Sequence, residues 1–289
     1  MALESPLYTP LDAAHPSARL LTAEAKDAAD ADDLALSFSL APVRLNECPP
    51  FVALSYVWGD PSVGSEIITV NGHPKRIGAN LAAAFRFFRK THQPSALGAE
   101  ASPELPRHIW VDALCINQED NSEKYVQVSH MESIYKSASI VLAHPGNGSA
   151  QPYQGYDTIR TLGKAWHRFT TECNRAPTGD EYNIPRTGPV LFDEPKAREA
   201  LEELASNLTN SVWSSVKAFL HPPYWSRVWI VQEIVLGREV MLVLGALEPI
   251  TWADHRNAML LTQQLPRILN GFAVYDASIW DRFEGSVEL

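Results

Sequence analysis

Phe51-Val52-Ala53-Leu54-Ser55-Tyr56-Val57 is the stretch that decides the fold, because it is apolar on both faces and stops at Trp58-Gly59-Asp60-Pro61. A strand with one face in water alternates apolar and polar residues, whereas a strand covered on both faces is apolar almost throughout. The stretch therefore predicts a central strand, and the Gly and Pro that follow predict the loop in which it ends.

Two further apolar runs, Ile109–Ala113 and Ile140–Ala143, predict core strands. Between them, Asp120 and Glu123 have the spacing of a capping box and predict the start of an amphipathic helix. The apolar positions of that helix are Val128, Met131, Tyr135 and Ala138. The alternation of strand and helix predicts an α/β fold, with a mostly parallel sheet and flanking helices.

The N-terminal part predicts antiparallel additions to this sheet. Residues 34–40 alternate with period two, which is typical of a half-buried strand. Asn71-Gly72, between Ile67–Val70 and a segment that ends at Ile77, predicts a tight β-hairpin, because Asn and Gly adopt the positive φ angles of such turns. Asn80 is predicted to cap the helix that follows, whose apolar positions are Leu81, Phe85 and Phe88.

The pattern changes after this region. From Pro145 to Pro223 it is interrupted by Gly, Pro and Asn, which predicts an insertion that contains a long helix over Ala197–Leu220. A helix that begins near Trp225 and a last apolar strand over Val240–Leu244 follow the insertion. Residues 246–289 are predicted to be partly helical, around Trp252–Leu265.

Composition excludes several classes of function. The net charge of −10 argues against binding to nucleic acid or to an anionic membrane, since both require a basic face. The odd number of cysteines, 3, favours a reducing compartment over a disulfide framework. No secretory signal and no apolar stretch of membrane-spanning length occurs, so a cytoplasmic protein without a membrane span is expected.

Polar residues form three clusters, two beyond predicted core strands and one in the late helix. They are Ser55, Tyr56, Trp58, Gly59 and Asp60; Asp112, Cys115, Asn117 and Gln118; and Arg227, Trp229, Gln232 and Glu233. Ligands of open parallel sheets bind beyond the carboxyl ends of the strands, so the first two clusters are expected to converge there. Taken singly, these residues have structural alternatives: Asp112 as a turn cap, Asn117 and Gln118 as loop anchors, and Trp58 as a core plug.

Arg227-Val228-Trp229-Ile230-Val231-Gln232-Glu233 places an acid four residues after a tryptophan in an otherwise apolar run. On a helix these two residues share a face, which predicts an aromatic wall beside a carboxylate. The alternative is that Glu233 pairs with Arg227 or Arg238 and only stabilises the helix. No phosphate-binding glycine loop, no metal-ligand spacing of histidines and no hydrolase elbow is present, so no cofactor or metal is predicted.

Three of these stretches together resemble the signature blocks of the fungal heterokaryon incompatibility (HET) domain. They are Ala53 to Asp60, Trp110 to Gln118, and Arg227 to Glu233. The resemblance covers roughly residues 35–245, and His144-Pro145 departs from the Leu-Gly usual in such domains. It implies a HET domain over residues 1–245, with a core at about 35–145 and 223–245, an insertion at about 146–222, and a helical extension over 246–289 that is compatible with truncation.

The HET family is in turn similar to the flavodoxin-like Toll and interleukin receptor (TIR) domain. By that resemblance, Glu233 is the catalytic residue of NAD hydrolysis. If the site cleaves NAD, we expect Trp229 or Trp58 to stack on a flat ring, Arg227 to meet the diphosphate, and Asp60 and Asp112 to orient the nucleotide. NAD is then a substrate, and self-association or another incompatibility protein supplies the partner. A non-catalytic death-signalling module and a hydrolase that depends on Cys115 are the alternatives.

Overall fold

The computed structural model describes residues 7–12, 14–24, 36–59, 64–91, 105–146, 151–172, 212, 214–216, 219, 224–245 and 247–259. The chain divides into two compact units. The first comprises Met1–Asn147 with Pro222–Pro249, and the second comprises Gly148–His221 with Ile250–Leu289. The domain limits given above stay a prediction. The predicted helix over Ala197–Leu220, like Asp60, lies largely or wholly outside the described residues.

The first unit contains eight described strands and four described helices. The strands are β1 (Ser17–Ala23), β2 (Ser37–Arg44), β3 (Phe51–Tyr56), β4 (Ser65–Val70), β5 (His73–Gly78), β6 (His108–Trp110), β7 (Ile140–His144) and β8 (Val240–Leu242). The helices are α1 (Ala79–Thr91), α2 (Asp112–Cys115), α3 (Asn121–Ser137) and, after α4 of the second unit (Gln151–Glu172), α5 (Ile230–Val235).

The strands of the first unit lie in the order β5-β4-β2-β1-β6-β3-β7-β8. Four of their seven pairings are parallel, and β6, β3, β7 and β8 form a continuous parallel half. In chain order this half is arranged 2-1-3-4, which is the beginning of the doubly wound arrangement. The prediction of an α/β fold with a mostly parallel sheet is confirmed, and β3 is its central strand.

Local sequence signals account for the elements around this sheet. The β4–β5 hairpin turns at Asn71 and Gly72, with φ angles of 50° and 77°, as predicted. Asp120 caps α3 by accepting from the backbone N–H groups of Ser122 and Glu123, also as predicted. The second half of the capping box is wrong, because the carboxylate of Glu123 instead binds Arg19 and the N–H of Asn117.

The predicted cap of α1 is also wrong. The helix begins at Ala79, so Asn80 lies inside its first turn. The side chain of Asn80 donates to the carbonyl of Val57 at 3.2 Å, at the end of the central strand. The core beneath is aromatic: Phe85 of α1 lies 4.6 Å from Phe38, between ring centroids. The amide of Asn80 thus links α1 to the loop that follows β3.

In the second unit, α4 lies against backbone with no room for a side chain at two of its glycines. A Cβ at Gly155 would lie 2.0 Å from the carbonyl oxygen of Ser215, and one at Gly163 would lie 2.2 Å from that of Asp254. Residues 252–259 are helical, as predicted for the first part of 252–265. Across the described ranges, none of the helices has the length and apolar character needed to cross a bilayer.

Candidate functional site

Glu233 of α5 reaches the carboxyl end of β3 and binds Ser55. The carboxylate is buried, with 2% of the residue exposed, although its neighbours Val231 and Val235 are 60% and 73% exposed. The hydroxyl of Ser55 donates to Oε2 of Glu233 in a short hydrogen bond. Because Ser55 is itself buried on the strand, this contact fixes the acid at the edge of the parallel half.

Arg227 binds the other oxygen of the same carboxylate. Its Nη2 lies 3.4 Å from Oε1 of Glu233, and its Nη1 donates to the carbonyl of Tyr56 at 2.6 Å. The predicted pairing of Glu233 with Arg227 is confirmed, whereas Arg238 is exposed to solvent. The 2.6 Å bond anchors the guanidinium to the strand end, and the 3.4 Å contact with the acid is the weaker of the two.

Tyr224 belongs to this cluster although sequence analysis did not select it. Its hydroxyl lies 2.8 Å from Oγ of Ser55, and the residue is fully buried. Its ring packs edge-on against Trp225 at 5.0 Å. The partner lies 169 positions away in sequence, so no local pattern pointed to the contact.

Burial controls the ionisation of the cluster. The pKa of Glu233 is raised, first because burial penalises the charged carboxylate, with hydrogen bonding by Ser55 and the charge of Arg227 opposing that effect. Burial also raises the pKa of Tyr224 and that of Tyr135, which feels the charge of Glu233. The site therefore holds an acid whose charge depends on two donors, Ser55 and Arg227.

Asp112 and Trp58 form the outer part of the site. The indole Nε1 of Trp58 donates to Oδ2 of Asp112 at 3.2 Å, and the tryptophan is 52% exposed. The alternative that Trp58 plugs the core is therefore wrong. Loss of hydration raises the pKa of Asp112, whose charge in turn raises the pKa of Glu233. Trp58 is thus connected to the buried acid only indirectly, through Asp112.

Gly59 has a structural reason to be glycine. Its φ angle is 77°, which L side chains rarely adopt, and a Cβ there would lie 3.1 Å from Nδ2 of Asn80. A Cβ at Gly146, with a φ angle of 108°, would meet the same atom at 3.3 Å. The amide of Asn80 therefore lies between the loops that follow β3 and β7. Asp60 lies outside the described residues.

The second signature block divides into an inner and an outer part. Gln118 donates from Nε2 to the carbonyl of Asp112 at 2.8 Å, and so fixes the loop as its structural alternative predicted. Cys115 and Asn117 instead bind the Arg19–Glu123 ion pair through their backbones. Arg19 donates to the carbonyl of Cys115 at 3.2 Å, and Glu123 accepts from the N–H of Asn117 at 2.8 Å. Cys115 is buried, which raises the pKa of its thiol to about 12 and argues against a thiolate nucleophile.

Trp229 and Gln232 lie on the solvent side of the third block. Trp229 is 47% exposed, and it precedes α5 with its carbonyl accepting from the N–H of Glu233 at 3.1 Å. Its ring makes no ring contact or hydrogen bond within the described part of the chain. Gln232 is exposed as well. The aromatic wall predicted at Trp229 stays a prediction, and Trp58 is the aromatic residue connected to the cluster through Asp112.

The part of the chain that the structure describes contains no metal site of the usual kind. No group of three or more His, Cys, Asp and Glu side chains converges there. What the site offers instead is a carboxylate, a guanidinium, a serine and a tyrosine hydroxyl, and an exposed indole.

A parallel half-sheet that ends against a buried glutamate, paired with a partly exposed arginine, defines an α/β protein with a candidate site at the carboxyl edge of its central strand. The chain belongs to the heterokaryon incompatibility family. The family model described as "Heterokaryon incompatibility protein (HET)" matches residues 51–233, from the first residue of β3 to the buried acid. The resemblance stated from sequence is thereby confirmed.

A relative from Neurospora crassa is described as "Heterokaryon incompatibility protein 6, OR allele". It is 27% identical over 224 residues, which cover 74% of this chain and 31% of the relative. The chain thus spans about a third of the length of that protein. No solved structure matches the chain, and its relation to TIR domains stays a prediction.

Proposed function

We propose that this chain is a fungal non-self recognition domain that triggers cell death in heterokaryon incompatibility, and that it does so by hydrolysing NAD at the bond between nicotinamide and ribose. Membership of the family and the description of the Neurospora crassa relative support the first part. The position of Glu233 supports the second part: it is a buried acid at the carboxyl edge of a parallel sheet, where ligands of such sheets bind.

The chemistry requires a negative group near the ribose. As the bond to nicotinamide breaks, its electron pair leaves with the neutral nicotinamide, positive charge develops on the ribose, and water then bonds to the ribose carbon and loses a proton. A carboxylate in a site shielded from water stabilises that charge more strongly than one in solution. We assign this role to Glu233, which would accept hydrogen bonds from the ribose hydroxyls.

Access to the acid is through the Arg227 contact. Both oxygens of Glu233 are occupied, but the 3.4 Å contact with Arg227 is long and the short bond with Ser55 is not. A ribose hydroxyl could replace the guanidinium at Oε1, while the 2.6 Å bond to the carbonyl of Tyr56 keeps Arg227 at the strand end. There the guanidinium would meet the diphosphate, for which its planar donors are suited.

Trp58 would bind a flat ring of the substrate. Its indole is 52% exposed and oriented through its bond to Asp112. An oriented aromatic face binds a flat ring with little loss of side-chain freedom. Trp229, which lacks such an anchor, is assigned no role in the reaction.

The test is release of nicotinamide from NAD by concentrated purified protein. Glu233→Gln, which keeps the shape and removes the charge, should abolish release, and so should Glu233→Ala. Glu239→Gln makes the same change at an exposed position between α5 and β8, and it should retain the wild-type rate. No release by wild-type protein at high concentration, or equal release by Glu233→Gln, would overturn the proposed reaction.

The second candidate is a non-catalytic module that signals death by self-association or by binding another incompatibility protein. The observation in its favour is that Glu233 is only 2% exposed and already bonded through both oxygens, as a purely structural acid would be. Under this alternative Glu233→Gln lowers stability but leaves killing intact wherever the protein still folds.

A further inference from the structure

A hydrogen-bond chain of three side chains ends at the buried acid: Tyr224, Ser55 and Glu233. A serine hydroxyl has one proton to donate. An ionised Glu233 can only accept, so Ser55 then donates its proton to Oε2 and its oxygen accepts from Tyr224. The chain therefore runs from the hydroxyl of Tyr224 to the oxygen of Ser55, and from the hydroxyl of Ser55 to the carboxylate.

The opposite direction would leave a donor unsatisfied. If Glu233 carried a proton and donated it to Ser55, Ser55 would donate to Tyr224, and the Tyr224 hydroxyl would need another acceptor. Among the described residues, Ser55 is the hydroxyl's hydrogen-bond partner, and Tyr224 is fully buried. A buried donor without a partner is costly, so the chain favours the direction that suits an ionised acid.

We propose that Tyr224 is a positioning residue, whose hydroxyl holds the Ser55 proton toward Glu233 and so keeps the carboxylate ionised for its ligand. The role as positioning residue for NAD rests on the proposed function, whereas the hold on the carboxylate does not. The other charged groups that act on Glu233 are Arg227 and Asp112 on α2. The hydroxyl of Tyr135 on α3 feels the charge of Glu233, but its own pKa is raised well above 10, so it is uncharged where a carboxyl group titrates. The charge of Arg227 favours the ionised form of Glu233, and the charge of Asp112 opposes it. The hydrogen-bond chain from Tyr224 is a further contribution in favour of the ionised form.

Tyr224→Phe tests this assignment, because it removes the hydroxyl and keeps the ring that packs on Trp225. Tyr135→Phe is the matched control: it makes the same change near the same acid, but the hydroxyl of Tyr135 is bonded to the carbonyl of Leu54 at 3.4 Å and lies outside the chain. Ser55→Ala breaks the chain at its middle and provides a second, independent variant.

The measurement is titration of Glu233 in the full chain without substrate, by the carboxyl carbon signal in isotope-labelled protein, assigned by its loss in Glu233→Gln. Tyr224→Phe and Ser55→Ala should each raise the midpoint by about one pH unit, which is a tenfold change in the protonation equilibrium. The double variant should shift little further than Ser55→Ala alone, and Tyr135→Phe should leave the midpoint where it is.

An unchanged midpoint in Tyr224→Phe, or an equal shift in Tyr135→Phe, would overturn the assignment and leave Tyr224 as a packing residue. Because the titration needs no substrate, it separates this inference from the proposed reaction. Absence of nicotinamide release in the wild-type protein would overturn NAD hydrolysis, while the titration would still report whether Tyr224 sets the state of Glu233.

Discussion

Ser55 and Glu233 are hydrogen-bonded to each other across 178 positions of sequence. The bond connects the first signature block, at the end of the central strand, to the last, on α5. Arg227 makes a second connection between the same blocks, through the carbonyl of Tyr56. Two stretches that are far apart in the chain thus form one site because the parallel half of the sheet brings their ends together.

Replacing Arg19 should destabilise the first unit strongly. Its guanidinium is 1% exposed and binds both oxygens of Glu123, at 2.6 and 2.8 Å, and the carbonyl of Thr9. Arg19→Met leaves that partly buried acid without its charged partner, so a loss of about 3 kcal/mol in the free energy of unfolding is expected in urea.

Arg44→Met is the control for this prediction. Arg44 pairs with Asp12 at 2.8 Å, but its side chain is 45% exposed, so less than about 1 kcal/mol is expected. Similar losses of unfolding free energy in Arg19→Met and Arg44→Met would show that the burial of Arg19 does not increase the contribution of its ion pair to stability.

Sequence patterns were sufficient wherever neighbours in the chain determine the structure. The hairpin at Asn71-Gly72 and the cap at Asp120 depend on backbone angles and on groups two or three residues away, and both were predicted. Asn80 failed as a cap because its amide found a partner at Val57, 23 positions back. Competition of that kind is decided by the fold and is invisible to a local rule.

The sequence predicted most residues of the candidate site, but it predicted few of the contacts between them. Ser55, Arg227 and Glu233 were predicted as site residues, and the structure brings them together. Trp229, also predicted, is half exposed, and its place beside the acid stays a prediction. Tyr224 was not predicted, because it lies outside the three polar clusters and its hydrogen-bond partner is 169 positions away. The local sequence around Tyr224 does not indicate that its hydroxyl completes the hydrogen-bond chain to Ser55 and Glu233.

Gly59→Ala should be more costly than Gly72→Ala. Both glycines have a φ angle of 77°, so both variants suffer the backbone strain of an alanine there, about 1 kcal/mol. A Cβ at Gly72 meets nothing within 4 Å, whereas one at Gly59 meets Asn80 at 3.1 Å. An additional loss of roughly 1 kcal/mol is expected for Gly59→Ala, by urea unfolding.

Combining Gly59→Ala with Asn80→Ala checks the cause. Removal of the amide should cancel the additional loss, so that the effects of the two substitutions are not additive. Equal losses for Gly59→Ala and Gly72→Ala would show that the contact with Asn80 yields without cost.

His144 should make the first unit sensitive to acid. The side chain is fully buried, and burial lowers its pKa from 6.5 to about 4. As the pH falls from 6.5 to 4, His144 therefore becomes protonated in the unfolded chain but stays neutral in the folded chain. Stability from this group is present above pH 6.5 and is lost toward pH 4, by about 1.4 kcal/mol per pH unit.

His144→Leu should flatten that dependence when the free energy of unfolding is measured across the same range. The raised pKa values of Glu233 and Asp112 act in the opposite direction, since the stability that these two groups contribute is lost as the pH rises. Both acids are present in the wild-type protein and in His144→Leu, so they do not affect the comparison. Parallel stability curves for the two proteins would contradict the assignment to His144.

Cys115 should resist alkylation in the folded protein. It is fully buried and its thiol has a pKa of about 12, so neither access nor thiolate is available. Mass spectrometry after treatment with iodoacetamide should find Cys48, which is only half-buried, modified before Cys115. Rapid labelling of Cys115 together with loss of nicotinamide release would favour the cysteine-dependent hydrolase.

The most direct test of the account is the NAD content of fungal cells in which the protein is expressed and kills. Wild-type protein and Glu239→Gln should lower NAD before the cells die, and Glu233→Gln, present at the same level, should neither lower NAD nor kill. Death with undiminished NAD in cells that express Glu233→Gln would contradict the claim that the buried glutamate acts by cleaving NAD.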